Sequence, residues 1–288
     1  MISCVVKSSK DNLLLLQKEI PFDYEIITSD KDSLVFYDLV NILKNRKLSL
    51  NEYIISIGEC FLGIPYVAST LEIEGDENLV VNLHEMDCTT FVEYVTAASL
   101  CFSENLYDFG DFAKLLLRIR YYDGKILGYP SRLHYFSGWL QNNHKKGVID
   151  IISDSIGNAV FDNKVNFMTS NPHLYRQLRD AKVIEQLKEV ENEVSLYRMR
   201  YISKDKILQI EKSIMDGDII AFASSINGLD VSHVGFAVFR DGKLHLMHAS
   251  STTKQVEISS VPLYEYIKNR SNITGILVGR VCQLKIDN

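Results

Sequence analysis

The sequence predicts an α+β protein in which helices come first and an antiparallel sheet follows. Apolar residues recur at helical spacing in several segments between about 30 and 195, whereas segments after 196 tend to alternate apolar and polar residues. Asp241-Gly242 lies between two alternating segments and is a strong signal for a two-residue hairpin turn. No Pro- or Gly-rich linker divides the 288 residues. We therefore expect one elaborated domain over residues 1–288, with a helical part at about 30–195 and a sheet part at about 196–282.

The helical part has recognisable start and stop signals. Ser49-Leu-Asn-Glu52 is a capping box that predicts a helix start, and Gly63 predicts its end. Pro65 then forces an extended segment that carries Tyr66. Further helices are predicted at about 32–45, 88–102, 111–121, 133–143 and 180–194, and Pro172 fits the first turn of a short helix.

The sheet part predicts strands at 197–202, 217–223, 233–240, 243–249 and 274–282. With Asp241-Gly242 at the turn, His248 faces Gly235 and His245 faces Val238 across the hairpin. Because alternate residues on a strand share a face, His233, Gly235 and His248 fall on one side and His245 on the other. Gly235 is expected to leave open space beside the two imidazoles. A one-residue bulge would exchange His248 for His245.

Composition excludes several classes of protein. The 31 basic and 37 acidic residues give a formal charge of −6, which argues against a protein that works by neutralising phosphates. No apolar run approaches the roughly 18 residues of a membrane span. The five cysteines form no Cys-x-x-Cys pair, so a zinc ribbon or a thioredoxin motif is disfavoured.

Cys88 is the best candidate for a nucleophile. It opens a predicted helix, where unpaired backbone N–H groups and the helix dipole favour the thiolate, and Asp87 can cap that helix. A cysteine nucleophile needs a base, and the hairpin offers His233 as base with His248 to orient it. Alternatives stay open at this point. Cys88 can be a small buried residue, the histidines can be ordinary strand residues, and His245 and His248 with His233 and Cys88 can bind zinc. Residues three apart on a strand point to opposite faces, which disfavours zinc.

Several ordered motifs between about residues 50 and 282 resemble the NlpC-type papain-like cysteine amidases and peptidases of bacterial cell walls. They are Gly63-Ile-Pro-Tyr66, Met-Asp-Cys88-Thr-Thr-Phe-Val-Glu, Ser-His233-Val-Gly-Phe and Met-His248-Ala-Ser. The segments starting at Tyr66, Ser131, Asn166 and Gly228 resemble more narrowly the N-acetylmuramoyl-L-alanine amidase-like branch. Ser69 departs from this branch, which often has glycine there.

The resemblance implies a papain-like core with a long, mainly helical insertion. It also implies hydrolysis of the amide between N-acetylmuramic acid, including its anhydro form, and the first L-Ala of the stem peptide. The implied catalytic residues are Cys88, His233 and His248. Substrate contacts are expected from Tyr66, Asp87, Ser232 and Arg132, although Arg132 can equally be a structural residue. We expect no metal and no organic cofactor, and the expected partners are muropeptides rather than nucleic acid or membrane.

Two other functions remain open from the sequence. The same chemistry can cleave the γ-D-glutamyl–diamino-acid bond within stem peptides, with Asp87 binding a free amine, or the chain can be a non-catalytic wall-binding module. A papain relative that cleaves proteins or transfers acyl groups is less favoured. The family implies the periplasm or cell envelope, but no signal peptide is visible, so a cytoplasmic location is the alternative. Met1-Ile-Ser-Cys4 is similar to the end of a lipoprotein signal, which would place a lipid anchor at Cys4.

Overall fold

A computed structural model describes residues 25–162 and 164–284, so Cys4 lies outside the described residues. Within these ranges the chain combines helices with an antiparallel sheet, which confirms the α+β prediction. The helices are α1 Asp30–Leu43, α2 Leu50–Cys60, α3 Cys88–Ser103, α4 Phe109–Arg120, α5 Phe136–Lys145, α6 Ile152–Ile156, α7 Phe167–Ser170, α8 Ala181–Ser195, α9 Ile207–Ile210 and α10 Leu263–Ile267.

The strands form two sheets among the described residues. They are β1 Ile26–Ile27, β2 Leu79–Val80, β3 Ile149–Ile151, β4 Ala159–Phe161, β5 Met199–Ser203, β6 Ile219–Ser224, β7 Val231–Arg240, β8 Lys243–Ser250, β9 Gln255–Ile258 and β10 Ile273–Val281. The large sheet runs in the order β4-β5-β10-β6-β7-β8-β9, and β3 also pairs with β10. The short strands β1 and β2 pair in parallel.

The predicted helix boundaries follow from local capping. Ser49 caps α2 (Leu50–Cys60) in a reciprocal capping box with Glu52. The predicted helices at 32–45, 88–102, 111–121, 133–143 and 180–194 appear as α1, α3, α4, α5 and α8, with boundaries shifted by up to three residues. Pro172 opens a single 3₁₀ turn.

The middle of the chain contains two short strands that the sequence analysis did not predict. The strands β3 (Ile149–Ile151) and β4 (Ala159–Phe161) come from within it and pair with β10 and β5. The predicted order of helices followed by strands therefore holds only broadly, because two three-residue strands from the middle of the chain join the large sheet. Strands this short carry too few alternating residues to be recognised by period.

The helix α3 (Cys88–Ser103) lies at the centre of the larger core. Every residue from Thr90 to Phe102 is buried, so the helix is covered on all sides rather than on the single predicted face. It packs on the hairpin through Phe91, whose ring meets that of Phe236 edge-on at 5.8 Å between centroids. This packing brings the first turn of α3 to strand β7.

The β7–β8 hairpin has the predicted turn and register. Asp241 and Gly242 have φ angles of 51° and 72°, both in the left-handed region that a type I′ turn requires. Val238 pairs with His245, as the sequence predicted. The pairing of β6 with β7 contains a register shift, in which Ser232 of β7 is the extra residue. The pairing of β7 with β8 contains none, so His233 and His248 keep the predicted relation.

Among the described residues, no helix combines the length and the apolar character that a bilayer crossing requires.

Candidate active site

Cys88 is the first residue of α3, and the capping of that helix fixes its position. The Asp87 carboxylate accepts a hydrogen bond from the Thr90 backbone N–H at 2.8 Å, and the Asp87 N–H donates to the Thr90 hydroxyl at 2.9 Å. These reciprocal bonds confirm Asp87 as the N-cap. They leave the backbone N–H of Cys88 without a partner inside its own helix.

The structure corrects the expectation that the helix start makes Cys88 a thiolate. Burial, and after it the charge of the neighbouring Asp87 carboxylate, raise the pKa of the Cys88 thiol to about 12, although hydrogen bonds from the Val234 backbone and the Thr89 side chain oppose the rise. Desolvation of the anion therefore outweighs the favourable N–H groups. The resting group is a thiol whose sulfur is hydrogen-bonded to the backbone beside His233.

His233 and His248 form the predicted pair. His233 Nε2 and His248 Nδ1 are 2.7 Å apart, and the two rings meet edge-on. Burial lowers the pKa of His233 to about 3 and that of His248 to about 4, and the positive charge of Arg270 lowers both. Both imidazoles are therefore neutral at pH 7. Since Nε2 of His233 is engaged, its Nδ1 is the nitrogen that remains to accept a proton.

Gly235 has a different role from the one predicted. A Cβ atom there would lie 2.6 Å from the carbonyl oxygen of Met247 and 2.8 Å from Cβ of His248. The glycine thus provides no open space beside the imidazoles. It allows β7 and β8 to approach closely, and this approach sets the distance between the two histidines.

A cleft of about 210 Å³ opens where these elements meet. Cys88 and His233 both line it, together with Ser232. The rest of its lining is Glu72, Thr89, Tyr129, His134, Tyr135, Phe136, Phe167, Met168, Tyr175, Leu229, Asp230, Val231 and Val234. A second cleft of about 210 Å³ shares Glu72, Thr89, His134 and Tyr175 with the first and extends past Asp87 to Arg132. The two clefts adjoin at these shared residues, and together they are called the groove.

Backbone hydrogen bonds hold the far wall of this groove. The N–H groups of Asn166 and Phe167 both donate to the Gly228 carbonyl at 3.0 Å. The buried carboxylate of Asp230 accepts from the N–H of Ser137 at 2.7 Å, close to the start of α5. Burial raises the pKa of Asp230, and these hydrogen bonds oppose the rise. Three of the four resemblance segments, those starting at Ser131, Asn166 and Gly228, are thus joined to one another next to His233.

Arg132 lies in an ion-pair network at the edge of the second cleft. Its guanidinium is 2.5 Å from a Glu72 oxygen and 3.5 Å from a Glu77 oxygen, and it donates to the Leu71 carbonyl at 3.0 Å. The side chain is only 6% exposed. These ion pairs support the structural role that the sequence left open, and the contact of Arg132 with a substrate carboxylate stays a prediction.

The segment after α2 carries Tyr66 and Ser69. Tyr66 pairs with Met86 in a short bridge, and burial together with the nearby Cys88 and Asp87 raises its phenol pKa to about 12. Its hydroxyl is therefore a neutral hydrogen-bond donor. Ser69 has a φ angle of 62°, a left-handed conformation that glycine adopts without steric cost. This conformation explains why a glycine suits the position.

His134 lines the groove, and the sequence analysis did not single it out as a site residue. One ring nitrogen, Nε2, is 2.8 Å from the Tyr129 carbonyl, and burial beside Arg132 lowers the histidine pKa to about 3. A carbonyl only accepts, so Nε2 carries the proton and Nδ1 is an acceptor. Its position within Ser131-Arg-Leu-His-Tyr-Phe136 was the available signal.

The zinc alternative is not supported by the described residues. His245 lies on the other face of β8 from His248, and its Nδ1 is 2.7 Å from the Ser259 carbonyl. Within residues 25–162 and 164–284, no three His, Cys, Asp or Glu side chains are close enough together to hold a metal ion.

Comparison with known proteins gives a consistent result. The family model AmiA-like, described as N-acetylmuramoyl-L-alanine amidase-like, matches residues 56–276. An N-acetylmuramoyl-L-alanine amidase from Bacteroides uniformis is 40% identical, with 81% of this chain and 99% of that chain covered and a TM-score of 0.79. No curated protein matches this chain.

Two further solved structures are similar. A Bacteroides fragilis protein, whose description proposes a xylanase, is 40% identical over 78% of this chain and 99% of that chain, with a TM-score of 0.75. A Legionella pneumophila protein assigned to the family DUF1460 is 21% identical over 95% of this chain and all of that chain, with a TM-score of 0.65. The latter shows a shared fold alone.

Proposed function

The chain belongs to the AmiA-like family of N-acetylmuramoyl-L-alanine amidase-like proteins, and we propose that it is a cysteine-dependent cell-wall amidase. Its substrate is the amide between the lactyl group of N-acetylmuramic acid, including the anhydro form, and L-Ala of the stem peptide. We also propose that the helix bearing Cys88 and the sheet bearing the histidines form an NlpC-type, papain-like core.

One observation carries the proposal. The thiol of Cys88 lies in the same groove as His233, and His233 is hydrogen-bonded to His248 at 2.7 Å. A thiol, a neutral imidazole and a third group that orients the imidazole are the parts that nucleophilic amide hydrolysis needs.

In the first half-reaction, the sulfur of Cys88 attacks the lactyl carbonyl carbon while Nδ1 of His233 takes the thiol proton. The carbonyl oxygen becomes an oxyanion, which the backbone N–H of Cys88 and the hydroxyl of Tyr66 stabilise by donating hydrogen bonds. The C–N bond then breaks, His233 returns the proton to the L-Ala amine, and a thioester to Cys88 remains.

In the second half-reaction, water attacks the thioester carbon and gives its proton to His233. The C–S bond breaks, the muramic carboxylic acid leaves, and the proton returns to the sulfur. His248 keeps the ring of His233 in one orientation and one tautomer throughout. The other proposed contacts are Asp87 and Ser232, which border the groove beside these reacting groups.

The test is mass spectrometry of a defined anhydro-muropeptide incubated with the wild-type protein and with Cys88→Ala. We expect an intact peptide that begins with L-Ala from the wild type alone. Cleavage within the stem peptide would instead indicate the γ-D-glutamyl–diamino-acid endopeptidase. No cleavage of muropeptides with or without the anhydro sugar would favour the non-catalytic binding module.

The cellular location of the protein is a second proposal. A muropeptide substrate supports the periplasm or cell envelope, with the cytoplasm as the alternative for fragments that have been imported. Fractionation of cells that express the natural gene, with the protein detected by antibody, distinguishes the two.

A further inference from the structure

His248 has a buried polar atom with no hydrogen-bond partner. Its side chain is fully buried, and Nε2 makes no hydrogen bond to the described residues. An unpaired buried N–H is costly, so such an atom needs an explanation. The carboxylate oxygen of Glu257 lies 3.7 Å from Nε2, too far for a hydrogen bond but close enough that a small movement of the Glu257 side chain would form one.

The sheet fixes this juxtaposition. His248 on β8 and Glu257 on β9 are directly paired across the two antiparallel strands. Directly opposed side chains leave the same face of a sheet, with Cβ atoms close together. The side chain of Glu257 is 23% exposed, so it has room to change its rotamer and approach the imidazole.

The tautomers of the two histidines determine what Nε2 does. If His233 is to accept the thiol proton at Nδ1, its neutral form carries a proton on Nε2. That proton is donated to Nδ1 of His248 across the 2.7 Å contact. Neutral His248 must then carry its own proton on Nε2, which points it towards Glu257.

We propose that Glu257 is a positioning residue for the catalytic pair, a fourth member that fixes the tautomer of His248 and stabilises the positive charge that forms on His233. This inference rests on the proposed function of the site. When His233 becomes an imidazolium, it polarises His248, and the hydrogen bond that Nε2–H of His248 donates to the Glu257 carboxylate becomes stronger. No proton needs to transfer to Glu257.

The charged groups around the two histidines determine whether loss of the Glu257 charge raises or lowers their pKa. Arg270, which follows α10, disfavours protonation of both histidines. Tyr266 on α10 contacts both Arg270 and His248, because its ring lies 4.2 Å from the Arg270 guanidinium and 5.5 Å from the ring of His248. Cys88 faces His233 from the groove. Glu257 is the carboxylate that lies beside His248, and removing its charge disfavours the imidazolium.

The experiment is an NMR titration of ¹⁵N-histidine-labelled full-length protein without substrate. In the wild type, the ¹⁵N shifts should show His248 protonated at Nε2 and unprotonated at Nδ1. In Glu257→Gln, the apparent pKa of the pair should fall by about one pH unit, because an opposite charge nearby favours the charged form. Glu257→Asp keeps the charge and should recover most of this shift.

Glu265→Gln is the matched control. It removes one carboxylate from α10, where Glu265 is paired with Lys268, and should leave the titration of the pair unchanged. With substrate, Glu257→Gln should lower kcat on the order of tenfold and leave KM within about twofold, since Glu257 does not line the groove.

Two results would overturn the proposal: a wild-type His248 protonated at Nδ1, which needs no variant to observe, or a Glu257→Gln titration that matches the wild type. Both can be read without any amidase activity. A wild-type protein without amidase activity would refute only the proposed function, and the titration would still test the proposed role of Glu257.

Discussion

Gly235→Ala tests whether close approach of two strands sets the catalytic histidines in place. The added Cβ would meet the Met247 carbonyl at 2.6 Å and the His248 Cβ at 2.8 Å, whereas ordinary contacts begin at 3.4 Å. Relief of the first contact requires β7 and β8 to separate locally by about 0.8 Å. Because one of these atoms is backbone, a change of side-chain rotamer cannot provide that separation.

The separation acts directly on the histidine pair. A 2.7 Å contact between His233 and His248, lengthened by most of this shift, passes the limit of a useful hydrogen bond. We expect kcat/KM to fall about 10- to 100-fold, since a misplacement near 1 Å has effects of this size. Overpacking should also cost about 1–3 kcal/mol of unfolding free energy.

The assay is release of peptide from a defined muropeptide, followed by chromatography, with urea denaturation of the same samples. Gly58→Ala is the matched control. Its Cβ would also press on Met247 of β8, but only on the flexible end of that side chain. We expect Gly58→Ala to keep kcat/KM within about threefold, helped by the better helix propensity of alanine. A Gly235→Ala protein with wild-type stability and kcat/KM would refute the reasoning.

Four further predictions follow from charge and backbone geometry. Iodoacetamide should label Cys88 at pH 7.5 more slowly than a cysteine in an unstructured peptide, with a rate that keeps rising above pH 9, because the thiol pKa is raised to about 12. The free energy of unfolding should fall by a few kcal/mol as the pH drops from about 6.5 towards 4, because His233 and His248 have lowered pKa values in the folded protein and take up protons on unfolding. Arg132→Met should cost about 3–5 kcal/mol in urea denaturation, because it leaves two carboxylates without their buried partner. Ser69→Gly should raise the unfolding free energy by up to about 1 kcal/mol, because it removes the steric cost of a left-handed conformation.

Each of these has a clear contrary outcome. A Cys88 that is fully reactive at pH 6 would mean that the resting pair is already ionic. The double variant His233→Gln/His248→Gln should lose less stability in acid than the wild type, and an equal loss would assign the acid sensitivity to other groups. An Arg132→Met protein of normal stability with a raised KM would restore the substrate contact. A Ser69→Gly protein that is less stable would show that the serine side chain contributes more than its backbone costs.

Local features of the sequence were sufficient for much of the fold. Capping signals at Ser49 and Asp87 identified helix starts because the donors and acceptors involved are within three residues of each other. The hairpin turn fixed the register of β7 and β8, and with it the pairing of the two histidines. In both cases the partners are near in sequence, or are related to each other by a single turn.

Features that depend on distant residues were not predictable in this way. Arg132 reads as a free surface or site arginine until Glu72, sixty residues earlier, is placed beside it. The nine-residue strand β10 was recognised, but its three-residue partner β3 was not. The role of His134 in the groove depends on where the loop after α4 packs, which no local pattern specifies.

Cys88 shows how a valid argument from local sequence, the position at a helix start, can predict the wrong protonation state. The helix start favours the thiolate, and the structure supplies those N–H groups, yet burial of the sulfur has the larger effect. Burial likewise disfavours a charged His233. The same desolvation that opposes an ion pair at rest strengthens every interaction with a charged transition state once substrate fills the groove. The transition state of the proposed amidase is therefore stabilised most when the proton leaves Cys88 during the attack rather than before it, because the oxyanion then forms together with the imidazolium.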